Sequence, residues 1–109
     1  MAGVTAELLD AARLYNNITW DDADENALLT GILSRGMAYL NKRVGTELDY
    51  TAEDIPRGLL LDYSMYAREK ALDEFEENYA TEINSLRCYY EGVAALKEAE
   101  GSESEETTA

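Results

Sequence analysis

One stretch constrains this chain more than any other: "TWDDADENALLTGILSRGMAYLNKRVG", residues 19–45, which has no proline and repeats apolar residues at three- and four-residue steps. Leu29, Ile32, Leu33, Gly36, Met37, Leu40 and Val44 fall on one stripe of a helix, a period that no strand shares. Asp22 and Glu25 have capping-box spacing with aspartate as the cap, and the acids of the first turn suit the positive end of the helix dipole. Lys42 and Arg43 sit at the opposite end, where cations belong, and Gly45 supplies the stop. Gly36 is a weak helix former placed on the stripe, so it is expected to mark the close approach of another helix.

The rest of the chain repeats this helical grammar. Pro56 is the only proline and glycines are few, which disfavours a fold built on many tight β-turns. Residues 5–16 predict a short first helix capped by Thr5, with Leu8, Leu9, Ala12 and Tyr15 on one face and Asn16-Asn17 ending it. Residues 46–55 are a connector in which Thr51 and Asp54 both have the chemistry of an N-cap, with Pro56 at the start of the next helix. The third helix is predicted over about 55–75. Leu60, Tyr63, Ala67 and Ala71 line one face and Leu61, Met65, Leu72 and Phe75 another, so it is expected to be central, or central with one side at a subunit interface. Leu61, Met65, Tyr66, Arg68 and Leu72 are the candidates for that interface.

A fourth helix is predicted over about 79–91, with Tyr79, Ile83, Leu86, Tyr90 and then Val93 in heptad-like register. Between the two lies "DEFEENYATEI", four carboxylates around the chain's lone phenylalanine. Asn78 tolerates the left-handed geometry that ends helices, so a corner is expected at 76–78, with Phe75 and Tyr79 as its inner clamp and the glutamates outside. Residues 100–109 are almost devoid of apolar side chains and are expected to be disordered when free. The reading is an all-α chain: a small bundle of about four helices with a central apolar third helix over residues 1–96, and a disordered acidic C-terminal tail over 97–109.

Charge and residue types narrow the function. A net charge of −14, of which −10 falls in the first 96 residues, argues against wrapping nucleic acid or sitting on anionic lipid. No apolar run approaches the ~20 residues of a membrane helix, and the N-terminus lacks the basic and apolar regions of a secretory signal. With no histidine and the single cysteine Cys88, thiolate–histidine catalysis and most zinc sites are excluded, and no glycine-rich phosphate loop occurs. Asp22, Asp24 and Asn26 match positions of a calcium loop. Ala27 and Leu33 stand where that loop needs glycine and glutamate, so these acids are read as helix caps. Cys88 is read as a small packing residue. No enzyme, cofactor site or metal site is expected. Tyrosine is abundant, and Tyr39, Tyr50, Tyr66 and Tyr89 fall off the helical stripes. They are either cover on helix faces or a subunit interface.

The order and spacing of these elements resemble a known family. "YNNITWDDADENALLTGILSRGMAYLNKRVG", a connector, and "IPRGLLLDYSMYAREKALDEFEENYATEINSLRCYYEG" are similar to the head–tail connector (adaptor, head-completion or DNA-packaging) proteins of tailed bacteriophages, over about residues 5–92. The resemblance implies a structural virion protein, made in the bacterial cytoplasm and placed at the capsid vertex. Such a subunit joins a homo-oligomeric ring, typically of twelve, beneath the portal protein, extends the DNA channel, and docks head-closure or tail proteins. It implies no cofactor, no membrane and no tight grip on the DNA in the lumen. The alternative reading from charge and size is an acidic inhibitor or DNA mimic that binds a basic nucleic-acid-binding protein.

Overall fold

The computed structural model describes residues 3–108, with side chains described for residues 3–98. Four helices follow in order, with no strand among the described residues: α1 (Ala6–Tyr15), α2 (Ala23–Val44), α3 (Ile55–Arg68) and α4 (Leu72–Thr108). Lys97 and Glu98 are helical, so the disordered tail expected over 97–109 does not begin there. The rest of that expectation lies outside the described side chains.

Side-chain contacts fix the directions. Glu25 at the start of α2 meets Arg68 at the end of α3, whereas Gly36 meets Leu60 and Tyr63 further back along α3, so α2 and α3 are antiparallel. Glu7 pairs with Arg57 and Asn16 with Ser64, so α1 runs parallel to α3. Tyr66 meets Phe75 and Tyr79 edge-on, while Ile55 and Pro56 face Ser85 and Tyr89, so α4 returns antiparallel to α3. Helices α1 and α4 each lie against the α2–α3 pair, and among the described residues their backbones do not approach one another. The third helix therefore is central, as its apolar circumference predicts, and α2 shares that position because it too packs on all the others.

Local chemistry explains most boundaries. Thr5 caps α1 by accepting from the Leu8 amide at 3.1 Å. Helix α1 closes in a Schellman motif: the Asn17 and Ile18 amides donate to Leu14 and Arg13 carbonyls, with Asn17 left-handed at φ 58°. Asp22 caps α2 through the Asp24 amide, and Gly45 ends it at φ 88°. Glu25 does not complete a capping box; its carboxylate lies 3.4 Å from Arg68 instead. Of the two candidate caps before α3, Asp54 takes the position.

The whole predicted α2 stripe is buried: Leu29, Ile32, Leu33, Gly36, Met37, Leu40 and Val44. A β-carbon on Gly36 would lie 2.7 Å from both Leu60 Cδ1 and Tyr63 Cδ1, which is the close approach its position implied. The connector is pinned rather than loose. Tyr50 is buried and its hydroxyl donates to Asn41 Oδ1 at 2.7 Å, an oxygen that also accepts the Leu48 amide at 3.1 Å.

The α3–α4 corner departs from expectation. It falls at Glu69–Ala71, not at 76–78, and α4 already runs through "EEN". The Lys70 and Ala71 amides donate to Ala67 and Tyr66 carbonyls, a second Schellman closure, with Lys70 in the left-handed position at φ 58°. Phe75 and Tyr79 thus do not flank a corner. They sit one turn apart on α4 and stack on each other, ring centroids 4.6 Å apart.

Candidate interaction surface

Phe75 is wholly buried at the centre of an aromatic cluster contributed by three helices. Tyr39 of α2 approaches at 6.3 Å, and Tyr63 and Tyr66 of α3 at 5.5 and 5.7 Å, all near edge-to-face. Asp73, Glu74, Glu76 and Glu77 around it are exposed, as the sequence implied. Both residues expected to clamp helices therefore do pack α4 onto the bundle, but from within one helix and against α2 as well as α3.

Beside the cluster, two tyrosine hydroxyls converge on one carboxylate, Asp62. Tyr15 of α1 hydrogen-bonds to Asp62, and Tyr79 of α4 lies beside Asp62 and the Tyr66 hydroxyl. Asp62 of α3 thus links α1 and α4, whose backbones do not approach one another among the described residues. The bond to Asp62, then burial, pushes the Tyr15 hydroxyl up to about 12. Burial first, and Asp62 next, raises Tyr79 as well. Desolvation alone raises Tyr50. These hydroxyls stay protonated at neutral pH and so can act as donors, Tyr15 to Asp62 and Tyr50 to Asn41.

Leu61, Met65, Tyr66, Arg68 and Leu72, the candidate subunit interface, are half-buried inside this chain. Leu61, Tyr66 and Leu72 pack against the core, and Arg68 is engaged by Glu25. The most exposed large apolar groups lie elsewhere. Leu14 (80% exposed), Trp20 and Leu28 lie where α1 stops and α2 begins, Ile55 and Tyr89 (63% exposed) lie at the opposite end, where α3 begins, and Leu96 (65% exposed) lies further along α4. Of the four off-stripe tyrosines, Tyr39, Tyr50 and Tyr66 pack within the chain and Tyr89 alone is largely exposed.

Ile55 and Tyr89 belong to an open groove of about 580 Å³ between the start of α3 and one face of α4. Asp54, Ile55 and Pro56 form one wall; Thr81, Glu82, Ser85, Leu86, Tyr89 and Tyr90 form the other. The α4 residues recur at i, i+4 and i+8 (81, 85, 89), so they share one flank of the helix beside the Ile83–Leu86–Tyr90 stripe that faces the core. The groove escapes sequence reading because Ile55 and Tyr89 are 34 positions apart. Its one sequence signal is the Tyr89-Tyr90 pair: Tyr90 continues the Ile83–Leu86 stripe, and Tyr89, one position back round the helix, falls off it.

Cys88 is exposed and not a packing residue as expected. Among the described residues, no group of three or more acidic or cysteine side chains is arranged to hold a metal ion, and no helix is long and apolar enough to cross a membrane. Asp22 and Asn26 serve as a helix cap and as a donor to Asp21. Comparison with family models, curated proteins and solved structures finds no match to this chain.

Proposed function

We propose that the chain is a structural subunit of a phage head–tail connector, assembling beside copies of itself into a ring beneath a portal protein and docking head-closure or tail proteins. The observation that carries the reading is the placement of uncovered apolar groups. Each end of a bundle whose core is already closed bears its own patch, Leu14, Trp20 and Leu28 at one and Ile55 and Tyr89 at the other. Two separate patches on one subunit let one meet a neighbouring copy, in the heterologous kind of contact that generates rings when its rotation closes, while the other stays open to a docked protein. The order and spacing of residues 5–92 support the same reading, through the resemblance to connector proteins. An acidic surface suits a channel through which DNA must slide, because each phosphate contact would add salt-dependent affinity and slow its passage.

The test is to mix the chain with purified portal rings from the same genome and follow mass by light scattering after size exclusion. Stable co-elution with several copies per portal ring supports the proposal; a strict monomer that ignores the portal sinks it. A monomeric free chain does not count against the proposal, because a ring can form on its template. A second reading, the acidic inhibitor or DNA mimic, draws on the exposed carboxylates at Asp73, Glu74, Glu76 and Glu77. Capture of a basic nucleic-acid-binding protein, competed by duplex DNA, would favour it.

A further inference from the structure

The groove between the start of α3 and α4 has a chemistry that points to a particular occupant. Its floor is apolar, with Pro56 and Leu86 buried beneath the more exposed Ile55, Tyr89 and Tyr90. Both charged residues that line it, Asp54 and Glu82, are acidic and exposed. The nearest cation along the chain, Arg57, is buried and held between Glu7 at 3.3 Å and Glu53 at 3.4 Å, so it does not neutralise the rim. From Thr81 to Tyr90 the α4 wall runs about 13 Å at 1.5 Å per residue. That length admits an extended or helical segment bearing one or two large side chains, rather than a single small molecule held on all sides.

We propose that this groove docks a segment of a different protein in which an apolar anchor is flanked by lysine or arginine. The anchor lies on Leu86 and Tyr89, and the flanking cations face Glu82 and Asp54. A second copy of this chain is the poorer occupant. It brings a further −14 of charge, and four of its nine basic side chains, Arg43, Arg57, Arg68 and Arg87, are already engaged by carboxylates of their own chain. Charge complementarity also sets the kinetics: an acidic rim on an acidic protein steers a cationic segment inward and makes its binding sensitive to salt. Contacts between copies in a ring then fall to the Leu14–Trp20–Leu28 end and to faces outside this groove.

The probe is a short labelled peptide with a central leucine–tryptophan pair and lysines on both sides, titrated into the full-length chain and followed by amide NMR shifts. Shifts are expected at residues 54–56 and 81–90, with affinity reduced about tenfold in Glu82→Lys and in Tyr89→Ala. Both positions are exposed, so circular dichroism should confirm that each variant keeps the native helix content. A peptide with serines in place of the anchor should bind at least tenfold more weakly, as should one with glutamates in place of the lysines. Equal binding of either control overturns the proposal, as do shifts confined to another face or variants that bind like the parent. Self-association of the free chain that Tyr89→Ala abolishes would overturn it too, by showing a second copy in the groove.

Discussion

Replacing Phe75 with alanine tests whether the aromatic cluster, rather than the surrounding acids, is what residues 73–83 are for. Phe75 is wholly buried and its ring meets four tyrosines within 6.3 Å. An aromatic side chain buries ~150–250 Å². Most of that is lost on truncation, and at ~25 cal/mol per Å² the transfer term alone is about 3–5 kcal/mol. The cavity left behind adds to this unless Tyr39, Tyr63 and Tyr79 collapse into it, so about 3–5 kcal/mol is the expected loss, the usual range for a core phenylalanine. With a urea slope of ~1–3 kcal/mol per molar, the unfolding midpoint should fall by roughly 1–5 M. Phe75→Leu keeps most of the volume and should lose well under half as much. Equilibrium urea unfolding, followed by both circular dichroism and tyrosine fluorescence, measures all three proteins. A loss below about 1 kcal/mol for Phe75→Ala would show that α4 is held by other contacts and that the cluster is incidental.

Three further outcomes follow from particular positions. Lys70→Gly should stabilise the chain by about 0.5–1 kcal/mol because Lys70 is left-handed, whereas Asn78→Gly, in mid-helix, should destabilise it by about as much; urea midpoints moving the other way would return the corner to 76–78. Gly36→Ala should cost about 1–3 kcal/mol, since its new methyl would meet Leu60 and Tyr63, and an unchanged melting temperature would contradict the packing. The Tyr15 hydroxyl is raised to about 12 in the fold, so the stability it contributes is complete below its unfolded value of ~10 and is lost as pH rises towards 12. Tyr15→Phe should therefore show a shallower alkaline decline in unfolding midpoint than the parent, and identical slopes would refute the link to Asp62.

The sequence was most informative where one physical rule acted alone. The α2 stripe, its aspartate cap and its glycine stop are local signals, and Gly36 announced a neighbour because nothing but packing favours glycine in mid-helix. The α3–α4 corner was hidden by competition between rules. Lysine carries no signature of left-handed backbone, while Asn78 does and yet sits inside α4, its amide near the Tyr66 hydroxyl at 3.5 Å. Apolar spacing also continued across the break from Leu61 and Met65 to Leu72 and Phe75, so periodicity gave no warning. Glu25 had cap spacing but found Arg68, a partner 43 positions away that no local pattern reveals. The groove failed for the same reason: Ile55 is an ordinary residue before a proline until α4 folds back beside it. Tyr89 was visible as a misfit on its helix, but what it faces is a property of the fold alone.

For the proposed connector role, electron microscopy of the chain mixed with portal rings from its own genome is the decisive measurement. The proposal predicts added density that closes as a ring beneath the portal, with a rotational symmetry that the connector resemblance puts at twelve and an open lumen wide enough for duplex DNA. Bare portal rings, with the chain remaining a monomer in the supernatant at concentrations well above micromolar, would contradict it.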